Sequence, residues 1–539
     1  MMKIKDILSI QLDNDIKNVI DLNSQSEDEI KEELDGFILT ESLAGHLSDF
    51  LDKFCSDMKE SGVWLSGFYG SGKSYFAKML GFLIENPVIQ GTPFRERFLH
   101  KLVGLNNEAF IKNQISSLDK SKYQVVLFDS AKVDNKHGIA YMAMSQFLLS
   151  LGLMNNWIGL MEYHLLLNDQ YEEFLQKVEE QNGGKKWTDL RRNMMNTMSV
   201  FRKAMIAIMG EEDFKDTEKI AQERIDTYDS CKLKEDLSLY LEQHPQDKVI
   251  FFIDEVSEAI TQKKIDILEL EGLSESLSGL GNRVWTIGIA QQAFNDVLNA
   301  SGLNKSKLEK VEARFKTRIP IAAEEIDKII RKRLLDKTDA GKQELKAYYV
   351  KNSGMIQAVT NISGLALSAT KDGEVYSDYY PFFVHQFKML QYFLFGSRDT
   401  VTTQIGTRGM LMSVFDVLKK EAMTEEEVHT HVSSVELCNQ AMENIPESLR
   451  MRYQQAEEHL AADGSFKLIS GKKLLQVIYF LAKSDARTTV DNIASSYARH
   501  PEQYYDILEE VKCAVALLVE NNVLLQTADQ YRITSQIEQ

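Results

Sequence analysis

The sequence predicts an α/β protein: a parallel sheet with a large helical insertion, then helix-rich segments and a small C-terminal module of helices and a hairpin. Three observations carry this reading. Four short runs, GVWLS (62–66), YQVVLFD (123–129), KVIFFID (248–254) and RVWTIGIA (283–290), are nearly continuous in apolar residues, as strands buried on both faces must be. A glycine-rich segment ending in Gly-Lys-Ser follows the first run and opens a helical pattern. Elsewhere, only 7 prolines interrupt apolar residues that recur at helical spacing.

In chain order, residues 1–60 read as a helical segment that packs on the core. Leu43, Leu47, Phe50, Leu51 and Phe54 share one helix face, and Thr40 is placed to cap that helix. The sheet core spans 61–320. The stretch between its second and third runs is too long for a simple crossover and reads as a helical insertion over about 135–245, with a loop at Asn182, Gly183 and Gly184. Residues 321–420 form a helical lid whose clearest helices are EEIDKIIRKRLLDK (324–337) and PFFVHQFKMLQYFLF (381–395). Residues 421–470 are a helical linker that opens on the charged stretch EAMTEEEVH. In 471–539, two helices, LLQVIYFLAK and YYDILEEVKCAVALLVE, precede two short apolar runs around a polar turn, the pattern of a winged-helix-like domain.

Composition excludes several function classes. The 539 residues carry a net charge of −18, so the chain as a whole repels nucleic acid and any DNA contact must be local. Residues 471–539 hold seven basic against nine acidic side chains, which is no DNA-binding footprint, although Lys472 and Lys473 leave room for a small basic face. Cys55, Cys231, Cys438 and Cys513 lie far apart, so neither a disulfide scaffold nor a zinc module is encoded. No apolar run reaches membrane-spanning length. A cytoplasmic protein with no membrane partner is the expectation.

The chemistry starts at Gly67-Phe68-Tyr69-Gly70-Ser71-Gly72-Lys73-Ser74, a match to G-x-x-x-x-G-K-[ST] between a strand run and a helix, with Tyr75 next in line as a further candidate nucleotide contact. Glycines let the backbone curl its N–H groups around a phosphate, and the helix N-terminus adds positive potential there. Lys73 would reach the β and γ phosphates of ATP, and the Ser74 hydroxyl would hold Mg²⁺. In VIFFIDE, Asp254 ends a buried strand where it can join the Mg²⁺ shell, and Glu255 is placed to orient and deprotonate a water. The bland reading is an acidic pair that merely ends a strand. An extra strand between the two motifs in sequence favours an ATP-hydrolysing P-loop NTPase of the AAA+/ASCE-like kind over a kinase or GTPase. Asp129, at the end of that strand, is a site contact or simply a cap or loop carboxylate.

Gln291, at the end of the fourth run, is a γ-phosphate sensor or a strand-end cap. Arg314 and Arg318 are candidates for a cation supplied to a neighbouring subunit's phosphate, with Arg331 and Arg333 further along; each alternatively is a solvated surface charge. Arg408, in Gly-Thr-Arg-Gly, is a candidate lid contact to nucleotide or an ordinary loop arginine. His385, flanked by aromatics, reads as a core histidine.

GVWLSGFYGSGKSYFAKMLGFL, preceded by FILTESLAGHLSDFLDKF and followed by VIFFIDEVSE and IGIAQQAF, resembles the BrxC/PglY family, the large P-loop ATPases of bacteriophage-exclusion (BREX) defence systems. The resemblance extends to RFKTRIPI, IIRKRLLDK and GTRGML, and so covers most of residues 1–420. Family members are much longer, so the chain is expected to be an N-terminal portion or a shortened relative. The resemblance implies an AAA+-like, oligomeric ATPase that works with a DNA methyltransferase and other BREX proteins. It implies nucleotide, metal, hydrolytic and sensor roles for Lys73, Ser74, Asp254, Glu255 and Gln291, an arginine finger at Arg314 or Arg318 and a lid sensor at Arg408. The alternatives are a slow nucleotide-controlled switch using the same site and, less favoured, a DNA-binding regulator.

Overall fold

The computed structural model describes residues 2–9, 26–56, 61–67, 72–192, 194–291, 294–300, 305–321, 323–364, 369–395, 409–442 and 445–534. They fall into two units, one built mainly from 26–67 and 72–321, the other from 323–534 together with 2–9.

The first unit is an α/β layer structure around one sheet. Strands β1 (Gly62–Ser66), β2 (Lys122–Asp129), β3 (Asp247–Asp254), β4 (Val284–Ala290) and β5 (Thr317–Pro320) run parallel in the order β2-β3-β4-β1-β5. Thus β2, which lies between the two nucleotide motifs in sequence, sits outboard of β3, and it is β4 that separates the P-loop strand from the Asp254 strand in space. Every residue of β1 and β4 is buried, which accounts for their unbroken apolar character. Register brings Ser66 beside Ala290, and Asp129 beside Asp254. The loops that follow β1, β2, β3 and β4 therefore leave the same sheet edge, where ligands of open α/β sheets bind.

In the first unit, helices α1 (Glu27–Gly36) and α2 (Glu41–Cys55) precede β1. The Thr40 hydroxyl accepts from the Leu43 N–H at 3.2 Å, and all five expected α2 face residues are buried. Phe50 and Phe54 set their rings 5.8 and 5.1 Å from Trp285 of β4, so α2 packs against the sheet. Residues 3–9 behave differently. Ile4 donates its N–H to the Glu426 carbonyl at 2.9 Å, and Lys3 and Lys5 pair with Glu425, so this stretch belongs to the second unit.

Helix α3 (Lys73–Glu85) follows the glycine-rich segment. Between β2 and β3 lies the insertion, comprising α4 (Gly138–Ser150), α5 (Trp157–Leu167), α6 (Tyr171–Gln181), a short turn at Trp187–Leu190, α7 (Met194–Met209), α8 (Glu211–Asp226) and α9 (Ser230–Gln243). It has an apolar centre of its own around Phe174, Trp187 and Phe201. Glu162, fully buried there, is satisfied by the Trp187 indole N–H at 2.6 Å, the Tyr171 hydroxyl at 3.1 Å and the Met154 N–H at 2.8 Å. Helix α10 (Ile267–Ser278) then covers the sheet before β4.

The second unit is helical. It includes α11 (Asp339–Thr360) and ends in α12 (Gly471–Lys483), α13 (Val490–Tyr497), α14 (Tyr504–Glu520) and an antiparallel hairpin of β6 (Leu524–Thr527) and β7 (Gln530–Ile533). The module thus has one helix more than its sequence pattern indicates. The charged stretch at 421–429 contributes only a short turn at Met423–Glu425. His385 is 3 % exposed, and burial pushes its imidazole down to about 3, the signature of a neutral core histidine. Among the described residues, no helix is long and apolar enough to cross a membrane.

Candidate nucleotide site

Lys73 and Ser74 open α3, whose N-terminus carries N–H groups that the helix itself leaves without an acceptor. Gly72 makes the entry to the helix possible: its φ of 82° is in the left-handed region that glycine tolerates. The Gly67 N–H is held by the Ala290 carbonyl at 3.2 Å, which ties the end of β1 to the end of β4. Phe68, Tyr69, Gly70, Ser71 and Arg408 lie outside the described residues.

From the other side, β3 delivers Asp254 and Glu255. Asp254 is 3 % exposed; burial pushes its carboxyl up to about 6, against the hydrogen bonds it receives from the Ser74 hydroxyl and the Glu255 N–H. The latter bond is 2.8 Å long. Glu255 itself adopts φ 53°, a left-handed conformation uncommon for a non-glycine residue, which turns the chain out of the strand beyond the site. One Glu255 carboxylate oxygen lies 3.8 Å from the Lys73 ammonium, and the other accepts from the Gln291 side-chain amide at 3.1 Å. Gln291 is held by its own N–H, which donates to the Ser257 hydroxyl at 3.0 Å. The structure therefore brings Lys73, Ser74, Asp254, Glu255 and Gln291 together from three separate elements.

The other candidates sit elsewhere. The Asp129 carboxylate caps the Ala131 N–H at 2.9 Å and pairs with Lys132 at 3.0 Å, so it orders the turn after β2. Tyr75, named for nucleotide contact, points the opposite way: its hydroxyl donates to the Glu33 carbonyl and its ring meets Phe37 edge-on at 5.3 Å. Arg314 pairs with Glu275, and with Glu271 at 3.7 Å, both on α10. Arg318 projects from edge strand β5, over the Phe294 ring at 4.6 Å and against Asn295 at 3.0 Å. Arg331 pairs with Asp378 at 2.8 Å in the second unit.

Two supports escape sequence reading. Ser130, fully buried, uses both its hydroxyl (2.7 Å) and its N–H (3.0 Å) to hold the Asp254 carbonyl oxygen. Lys78, in the second turn of α3, is 1 % exposed and pairs with Glu33 of α1 at 2.8 Å. The only signal for Ser130 is its place one residue after a strand-end aspartate; for the Lys78–Glu33 pair there is none.

The Ser74 hydroxyl and the Asp254 carboxylate form a hard-oxygen pair, and a cation beside them would relieve the charge that burial penalises. Among the described residues no cluster of three His, Cys, Asp or Glu side chains could hold a metal alone. The pair fits Mg²⁺, which keeps waters and takes phosphate oxygens alongside one or two protein ligands.

No family model matches the chain. Among solved structures it is similar to Cdc6p from Pyrobaculum aerophilum, at 11% identity over 98% of this chain and 95% of that one, with a TM-score of 0.31. It is also similar to the Aeropyrum pernix ORC2 protein in ADPNP–ADP complexes, at 11% identity over 91% and 88% of the two chains, with a TM-score of 0.32. At such TM-scores the likeness settles nothing further, and the fold rests on the strand order and register described above.

Proposed function

We propose that the chain binds ATP with Mg²⁺ and hydrolyses it, as a P-loop ATPase of the AAA+-like kind. The observation that supports this most is the placement of Glu255, which has one carboxylate oxygen near the Lys73 ammonium and the other held by Gln291. In the proposed reaction the α3 N-terminus and Lys73 bind the phosphates, and Ser74 and Asp254 hold Mg²⁺. Bound Mg²⁺ would neutralise charge on the phosphate oxygens. Gln291 orients Glu255, and Glu255 takes the proton from the attacking water. Arg314 or Arg318, on the β5 side of the sheet, would be offered to a neighbouring copy in a homo-oligomer, and Arg408 would reach nucleotide from the lid.

The resemblance to the BrxC/PglY family extends the proposal to a BREX-type antiviral role in the cytoplasm. Nucleotide-driven assembly would organise a complex with a DNA methyltransferase and other BREX proteins on DNA, with the winged-helix-like module as a docking domain. The first test is equilibrium binding of a fluorescent ATP analogue with Mg²⁺. Lys73→Ala should weaken binding at least about tenfold, the worth of one charge-assisted contact of 1.5–3 kcal/mol. Unchanged affinity would remove Lys73 from the site.

A further inference from the structure

A cavity of about 450 Å³ opens in the helical insertion, within the range of about 300–1,000 Å³ typical of small-ligand pockets, and none of Lys73, Asp254, Glu255 and Gln291 lines it. It lies among the turn that follows β2, the face of α4, the start of α5 and the end of α8. Three features of its lining define what it can hold.

Its walls are aromatic. His137, Tyr141 and Trp157 all face it, and the His137 ring meets Tyr141 edge-on at 5.4 Å, a ring pair that fixes both. Its charge is acidic: Asp134 and Asp226 line it and no lysine or arginine does. The Asp226 carboxylate is 3.7 Å from His137 Nδ1 and otherwise 73% exposed, so it is open to a further partner. Of its remaining polar groups, the Tyr141 and Ser145 hydroxyls donate to the Asn155 and Met142 carbonyls, and the Asn156 side chain accepts from the Ile158 N–H. The side-chain amides of Gln146, Asn155 and Gln222 face the cavity and make no hydrogen bond to the described residues. Asn155 and Gln222 are exposed and Gln146 is half-buried, so these amides are open to a ligand that enters the cavity.

Aromatic faces attract a cation through their quadrupole, and carboxylates and amide oxygens accept from N–H donors. With no lysine or arginine in the lining, and with its one imidazole, His137, already beside Asp226, a phosphate or carboxylate ligand would meet mainly like charge. We propose that this cavity is a binding site for an organic cation, a guanidinium or ammonium group carried by a basic side chain of a protein or by a free amine. The site stands independently of the nucleotide reading, because it shares no residue with Lys73, Asp254, Glu255 or Gln291.

The test is calorimetric titration of the full chain with agmatine, with N-acetyl-arginine amide and with the neutral isostere N-acetyl-citrulline amide. Expected is one-site, saturable binding of at least one of the two cations, with the citrulline probe at least about tenfold weaker. The double variant Asp134→Asn/Asp226→Asn changes two exposed side chains and should fold as the parent does by circular dichroism; it should bind the cation about tenfold more weakly. Tight agmatine binding points to a free amine, whereas binding of the arginine amide alone points to a protein side chain. The proposal is overturned if neither cation binds at millimolar concentration, if the citrulline probe binds equally well, or if the double variant binds with parental affinity.

Discussion

Asp254→Asn should make the first unit more stable while removing the carboxylate assigned to Mg²⁺. The Asp254 carboxyl moves from an ordinary 3.8 to about 6 on folding, chiefly through burial. Below pH 3.8 it is protonated in both states and costs nothing. Between these values the folded chain binds more protons than the unfolded one, so stability falls as pH rises. Above pH 6 the full cost applies; at about 1.4 kcal/mol for each pH unit separating the two values, it is about 3 kcal/mol. At pH 5 the same linkage leaves about half of it, roughly 1.6 kcal/mol. Asparagine occupies the same volume, keeps an oxygen for the Glu255 N–H and carries no charge. All four tryptophans of the sequence, Trp64, Trp157, Trp187 and Trp285, lie in this unit, so their emission during urea unfolding isolates its transition. In chelator-containing buffer without nucleotide, the variant should exceed the parent by about 3 kcal/mol at pH 7.5 and by about half that at pH 5. Equal stabilities at pH 7.5, or a gap that does not change with pH, would refute the claim that burial of the charged carboxylate is what Asp254 costs the fold.

Two further expectations concern the site and its foundation. Gln291→Ala removes the amide that holds Glu255 at 3.1 Å, so kcat for ATP should fall about 10–100-fold while nucleotide affinity stays near the parent's; a KM effect without a kcat effect would assign Gln291 to binding instead. Trp285→Ala empties the contact with Phe50 and Phe54 beneath the sheet, and should cost about 3–5 kcal/mol in urea unfolding; a loss under about 1 kcal/mol would contradict that packing.

What the sequence reveals depends on how each element is buried. The four apolar runs fall on four of the sheet's five strands: β1 and β4 are buried throughout, which leaves no polar positions to blur the pattern, whereas β2, at the sheet edge, fully buries only Val126 and Phe128 and is legible from its apolar side chains alone. Strand β5 does not announce itself: only Thr317 and Ile319 of its four residues are buried, and Arg318 and Pro320 face outward at the sheet edge. Helix α13 is hidden for the opposite reason. It buries Asn492, Ser495 and Ser496, and Asn492 is satisfied by the Ser363 N–H at 2.9 Å and carbonyl at 2.8 Å, so no apolar period appears. At the site, residue types and strand-end positions point to Lys73, Asp254, Glu255 and Gln291, but their convergence follows from the β4–β1 neighbour relation, which the linear order of the runs does not contain. Tyr75 shows the limit of reading by adjacency. One residue beyond Ser74 on a helix, its side chain faces Glu33 and Phe37.

The central claim is that Glu255 activates water for ATP hydrolysis, and Glu255→Gln tests it most directly because the amide preserves shape and the hydrogen-bonding reach towards Gln291. Turnover and solution mass should be measured together, with and without Mg²⁺–ATP, for parent and variant. The expected result is that the variant binds ATP as tightly as the parent, loses at least about 100-fold in turnover as befits a general base, and persists in the ATP-assembled form. Turnover by Glu255→Gln equal to the parent's would contradict the account, and Glu255 would then be no part of the chemistry.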